Sequence, residues 1–246
     1  MLLAWSAKAI AESPLHGEEV MDRIEIGQIE AKPAEREPFF RAPWTIVALC
    51  LGLVGLFALQ QLTNSDLLIQ RYGLTPAALA AGRWWTLLTS LFLHGSWPHV
   101  AINALVAFAV GPPVARMMGT GARGACAFFM FYLLCGTVGS LGFVAMTPGD
   151  LTPTVGASGA ISGLLGAAVR LIEGRGRIGP ILAPSVVAFT LVWGVVNFVF
   201  GAFGLTPGAI GVPVAWQAHM AGYLAGLLLF GPFARLAGRN ATSFTH

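Results

Sequence analysis

The chain has 246 residues, of which 56% are hydrophobic and 10% charged, with a mean hydropathy of +0.73. A soluble domain carries about 25% charged residues, so this composition excludes an ordinary soluble protein and predicts a polytopic membrane one. The formal net charge is +3, and the basic residues that set the pI near 9.0 follow membrane topology, which gives no reason to expect a nucleic-acid partner.

Residues 1–41 hold eight of the eleven acidic side chains and no long apolar run. The opening Met1 to Trp5 is too short for a signal-peptide core. This segment is expected to be a cytoplasmic tail, disordered or weakly helical, with Met21 as an alternative start. The membrane domain is expected over 42–237. It contains the long apolar runs Trp44 to Leu62, Val100 to Val114, Gly124 to Met146, Ile178 to Phe203 and Trp216 to Leu236. A shorter run, Ser158 to Ile172, is only just long enough for a span, since crossing takes about 20 residues. None of the six contains Asp or Glu. Arg170, near the end of the fourth, is expected to snorkel to the interface. Residues 238–246 are expected to form a short cytoplasmic tail. The fold class is thus all-α, a six-span helical bundle. Cys50, Cys126 and Cys135 all fall inside spans, with no metal spacing, and read as packing residues.

Charge sets the orientation. Twelve of the 14 Lys and Arg residues lie on one side of the six spans; only Arg71 and Arg83 lie on the other. The positive-inside rule puts both termini in the cytoplasm, and the expected location is a bacterial inner membrane.

The polar residues worth following sit at the outer ends of spans. The connection Thr63 to Trp97 carries Trp84, Trp85 and an apolar cluster, Leu87 to Leu93, and is expected in the outer interface. It ends in His94, followed by Ser96-Trp97-Pro98, a helix-start pattern. His99 and Asn103 are i and i+4, hence on one helix face, and both can donate hydrogen bonds. Ser158, in Gly156-Ala157-Ser158-Gly159, opens span four, where backbone N–H groups lack intrahelical acceptors and the helix dipole favours negative charge. His219, in Ala218-His219-Met220-Ala221-Gly222, opens span six. Polar side chains kept in hydrocarbon suggest a site. A serine with a histidine base is the minimum for nucleophilic acyl transfer. Gly159, Gly163 and Gly166 are positioned to pack closely against Gly222 and Gly226, which would make Ser158 and His219 neighbours.

These motifs resemble the rhomboid family of intramembrane serine proteases, whose pattern is His-x4-His-x3-Asn, Gly-x-Ser-Gly and Ala-His-x-x-Gly. Here they read His94…His99…Asn103, Gly156-Ala157-Ser158-Gly159 and Ala218-His219-Met220-Ala221-Gly222, in order, on spans two, four and six. The resemblance covers roughly Trp44 to Leu236. It implies that Ser158 is the nucleophile and His219 the general base. His99, Asn103 and the Ser158 N–H would form the oxyanion hole. His94, Gly156, Gly159 and Gly222 would support the site. The implied partners are transmembrane protein substrates within the lipid bilayer, with no cofactor and no metal. The chain departs from the family at three places. The first-loop Trp-Arg pair is Trp85-Thr86, the aromatic four residues after the nucleophile is Ser162, and the glutamate late in span two is Ala115.

Other readings fit less well. A silent rhomboid-like scaffold would not need Ser158 with His219. A transporter would be expected to carry ionisable span residues beyond histidine. Three histidines at one depth could bind metal, but the chain has no His-Glu-x-x-His, and an aspartyl protease would need a Gly-x-Gly-Asp that is missing.

Overall fold

The computed structural model describes residues 42–206, 209–210 and 214–238, all within the unit Ala42–His246. The expectations for the 1–41 tail, for Met21 and for the tail beyond Gly238 lie outside the described residues.

The molecule is an all-α bundle. The long helices are α1 (Trp44–Gln61), α5 (Trp97–Met118), α6 (Ala122–Met146), α7 (Ser158–Glu173), α8 (Pro184–Phe203) and α9 (Trp216–Leu236). Between α1 and α5 lie three short helices, α2 (Ser65–Tyr72), α3 (Pro76–Ala80) and α4 (Thr86–Thr89), and a 3₁₀ turn, Ser90–Phe92. Two-residue strands, β1 (Leu205–Thr206) and β2 (Ala209–Ile210), pair antiparallel between α8 and α9. Helices α1, α5, α6 and α8 are long and apolar enough to cross a membrane. Helix α7 has 16 residues, or about 24 Å at 1.5 Å per residue, short of a ~30 Å hydrocarbon core. Helix α9 has the length, at 21 residues, but Gln217, His219 and Arg235 dilute its apolarity.

Local chemistry explains the boundaries. Ser96 caps α5 by accepting from the His99 N–H at 3.3 Å, and Pro98 occupies the first turn, where a missing N–H costs nothing. Helix α8 starts at Pro184, six residues later than its apolar run. Pro180 and Pro184 both disfavour helix in the residue before them, so 178–183 is non-helical, with a turn at 181–182.

Helix α9 packs chiefly on α6 and α7, and α1 packs on α5. Phe128, Phe131, Tyr132, Leu164 and Phe230 are fully buried in the core. The α7–α9 contact is backbone against backbone. A Cβ on Gly222 would run into the Gly159 carbonyl, and one on Gly226 into that of Gly163. Small residues allow such approach between apolar helices. Helix α8 is peripheral: Val186 and Asn197 are its only buried residues.

Arg170 departs from its expected place. It is 9% exposed, with Nε donating to the Gly179 carbonyl at 2.9 Å and Nη1 to the Leu227 carbonyl at 2.7 Å. It does not snorkel. Its guanidinium finds charge-assisted acceptors inside the bundle, tying α7 to the following turn and to α9.

Candidate active site

Ser158 is the first residue of α7, and His219 is in the first turn of α9. The glycine contact between these helices brings the two side chains together, with Ser158 Oγ 2.7 Å from His219 Nε2. On the other side of the imidazole, Nδ1 lies 2.7 Å from Asn197 Oδ1 of α8. The Asn197 Nδ2 donates to the Trp193 carbonyl one turn back, at 2.9 Å.

Helix α5 supplies the facing wall. His99 and Asn103 both line a cavity of about 560 Å³, along with Ser158 and His219. Asn103 is buried, and its Nδ2 donates to the His99 carbonyl at 3.1 Å, the bond expected of an i, i+4 pair. The two donors converge beside Gly156. A Cβ there would sit 2.7 Å from His99 Nε2 and 3.9 Å from Asn103 Nδ2, and the Gly156 φ is +125°. Glycine is therefore required at that position both for backbone conformation and for room against the His99 ring. As the first helical residue, Ser158 has an N–H without an acceptor inside α7. The sequence-expected residues Ser158, His219, His99, Asn103 and Gly156 are thus gathered at one cavity. Gly159 also lines it, and Gly222 lies behind it, against Gly159.

The α1–α5 connection builds the roof. Leu74 and Thr154 exchange backbone hydrogen bonds at 3.0 and 2.8 Å, and the Gly156 N–H donates to the Ser90 carbonyl at 2.9 Å. The connection is therefore pinned to the segment that leads into Ser158. Ser140 of α6 donates to the Leu87 carbonyl at 3.2 Å.

His94 lies outside the cavity lining, fully buried. Its main chain is clasped by the Gln60 side chain, which accepts from the His94 N–H at 3.1 Å and donates to its carbonyl at 2.8 Å. Its ring meets His99 edge to face at 5.1 Å, so it buttresses His99. Burial pushes the His94 imidazole down to about 3, with His99 adding to the effect. At neutral pH it is an uncharged packing group.

The three departures from the family pattern are accommodated. Thr86 is buried and donates to the Arg83 carbonyl at 2.7 Å. Ala115 is a core residue. Ser162 is buried on α7, and among the described residues no aromatic ring stacks on His219. Asn197 escaped the sequence reading. Its signal was available: it is the one amide in the apolar run Ile178 to Phe203, where a polar side chain needs a partner. No group of metal-ligating side chains occurs among the described residues.

Comparison with known proteins gives a match to the rhomboid domain over residues 81–235. The chain is 39% identical over 105 residues to the rhomboid protease GluP of Bacillus subtilis, covering 43% of this chain and 19% of that relative. It is 32% identical over 152 residues to YdcA of the same organism, covering 61% of this chain and 68% of YdcA. It is 36% identical over 89 residues to RHOMBOID-like protein 9, chloroplastic, of Arabidopsis thaliana, covering 36% of this chain and 19% of that relative. The matched stretch is thus a fifth of GluP and about two thirds of YdcA.

Proposed function

This chain belongs to the rhomboid family, and on that premise we propose that it is a serine-type intramembrane endopeptidase working through a Ser158–His219 dyad. The observation that carries the reading is the 2.7 Å contact between Ser158 Oγ and His219 Nε2 at the wall of a 560 Å³ cavity. At that distance a histidine takes the hydroxyl proton as the oxygen attacks a carbonyl. The scissile carbonyl becomes a tetrahedral oxyanion. His99, Asn103 and the Ser158 N–H, which line the same cavity, are the donors for that charge, since donors aimed at developing charge lower the barrier. His219 then gives its proton to the leaving amine. The acyl-enzyme is released by water, which enters the cavity and is activated by the same base.

The substrates are membrane proteins cut in or near a transmembrane segment. All six long helices are read as spans, the 16-residue α7 crossing where the bilayer thins to match it, with the site towards the outer face and both termini in the cytoplasm. The charge asymmetry of the connections supports this orientation. The test is cleavage of a labelled single-span substrate by the purified protein in vesicles. Wild type should cut it and Ser158→Ala should not, while remaining folded. Cleavage by Ser158→Ala at the wild-type rate removes the assignment. In cells, a cysteine at Asp150 should react with an impermeant reagent from outside and one at Gly174 should not; the reverse pattern inverts the orientation.

A further inference from the structure

Helix α8 turns nearly all of its surface outward, yet it buries one amide, that of Asn197, against the imidazole of His219. Family resemblance leads one to expect a dyad whose histidine is steadied by an aromatic four residues after the serine. Here that position is Ser162, so the ring must be held in another way.

The hydrogen bonds fix the proton positions. The Trp193 carbonyl can only accept, so the amide edge facing it is Nδ2, as its 2.9 Å bond requires. The edge facing His219 is then the carbonyl oxygen, 2.7 Å from Nδ1. That oxygen has no proton to give, so Nδ1 carries the hydrogen and donates. Nε2 is left with its lone pair towards Ser158 Oγ at 2.7 Å, and the hydroxyl donates to it. This is the only tautomer in which His219 can act as a base towards Ser158.

We propose that Asn197 is a positioning residue for the proteolytic reaction, completing a Ser158–His219–Asn197 array in which its side-chain oxygen selects the Nδ1–H tautomer and orients the ring. This deepens, and rests on, the dyad reading of the same site. Asn197 touches neither substrate nor reacting atoms; it acts through His219. When His219 takes the serine proton, the amide oxygen continues to accept from Nδ1–H and stabilises the imidazolium by a charge-assisted bond. Where a carboxylate performs this service, putting the wrong tautomer in place costs up to about 10⁴ in turnover. A neutral amide does less, so the loss expected here is about 10- to 100-fold.

Two readouts test it. The first does not depend on protease activity: ¹⁵N-histidine spectra of the full chain, with the His219 signal assigned by its loss in His219→Gln. Wild type and Ser158→Ala should both show a protonated Nδ1 and a bare Nε2. Asn197→Leu should lose that preference. A protonated Nε2 in wild type, or an unchanged spectrum in Asn197→Leu, overturns the proposal. The second is kinetic. Asn197→Leu should lower kcat about 10- to 100-fold with KM within about twofold. Asn197→Asp keeps an acceptor and should restore much of kcat, while moving the acid limb of the pH profile upward, because a carboxylate favours imidazolium. His99, the other titratable group acting on His219, is untouched in both variants. A purely structural Asn197 would lower the melting temperature in Asn197→Leu without a selective fall in kcat and without loss of the Nδ1–H signal. If wild type and Ser158→Ala cut equally, the protease reading fails while the spectra still decide the tautomer. If only wild type cuts but Asn197→Leu matches it in kcat, the positioning role alone fails.

Discussion

Helices α7 and α8 are consecutive in the chain and opposite in character. Twelve of the 16 residues of α7 are buried, against two of the 20 in α8. Helix α7 is rich in Gly, Ala and Ser, so its backbone comes up to that of α9 with no side chain between. Helix α8 is rich in Val and Phe that face outward; it reaches the histidine through a single amide, and Gly201 alone of its residues lines the cavity. Close backbone packing fixes where Ser158 and His219 lie relative to each other. A peripheral helix can supply a hydrogen bond to the site while most of its surface faces away from the bundle. Placement and tuning of the site thus come from different kinds of helix.

That contrast can be broken by substitution. The largest expected effect after loss of the dyad itself is on α5, which faces α7 across the cavity. Asn103→Ala should lower kcat by about 10²–10³, or ~3–4 kcal/mol, with little change in KM because the bond is made mainly in the transition state. Wild-type turnover in this variant would return Asn103 to a helix-packing role. Next comes the α7–α9 contact. Gly222→Val places a side chain where the Gly159 carbonyl sits. Overpacking of this kind costs about 1–3 kcal/mol, and by separating Ser158 from His219 it should reduce activity more than its stability loss explains. A variant with full activity and an unchanged melting temperature would mean that the helices are not in backbone contact.

His94 gives a smaller effect, visible only in acid. Its folded value of about 3 lies below the ordinary value near 6.5, so the unfolded chain binds the extra proton. The stabilisation is complete above about pH 6.5 and is lost as pH falls from there towards 3, by a few kcal/mol at most. The wild-type melting temperature should therefore drop over that window, and His94→Leu should flatten the drop. Parallel curves for the two would remove His94 from the account of acid sensitivity. The smallest effect belongs to the outer face of α8. Val195 is 63% exposed, and Val195→Ala should stay within about 0.5 kcal/mol and leave turnover unchanged. A larger loss would show that α8 does more than present Asn197.

The contrast also explains what the sequence could reveal. Apolar runs located the six long helices, five of them within four residues and α8 with its start six residues late, because hydrophobicity is a property of each segment by itself. Ser158, His99, Asn103 and His219 were legible because each is a polar residue at the end of such a run, and because Ser96 and Pro98 announce the α5 start. Glycine spacing at 159, 163, 222 and 226 anticipated which faces meet. Asn197 stood out only as the one amide of its run, and its partner lies 22 residues away on another helix. Nothing in its own segment says that α8 turns that residue inward. Arg170 was misjudged for a related reason. Its place near a helix end suggested the interface, whereas the acceptors that hold it, the Gly179 and Leu227 carbonyls, exist only once the turn after α7 and helix α9 are in place. The short helices between α1 and α5 were not foreseen individually, since helices of four to eight residues are set by tertiary pinning rather than by periodicity.

The most direct measurement of the central claim, that His219 activates Ser158, is labelling by a serine-reactive fluorophosphonate followed by peptide mass analysis. Wild type should carry one adduct, on the peptide containing Ser158. His219→Ala, which keeps the serine and removes the base, should label far more slowly, and Ser158→Ala should not label at all. An adduct elsewhere, or labelling of His219→Ala at the wild-type rate, would contradict the account.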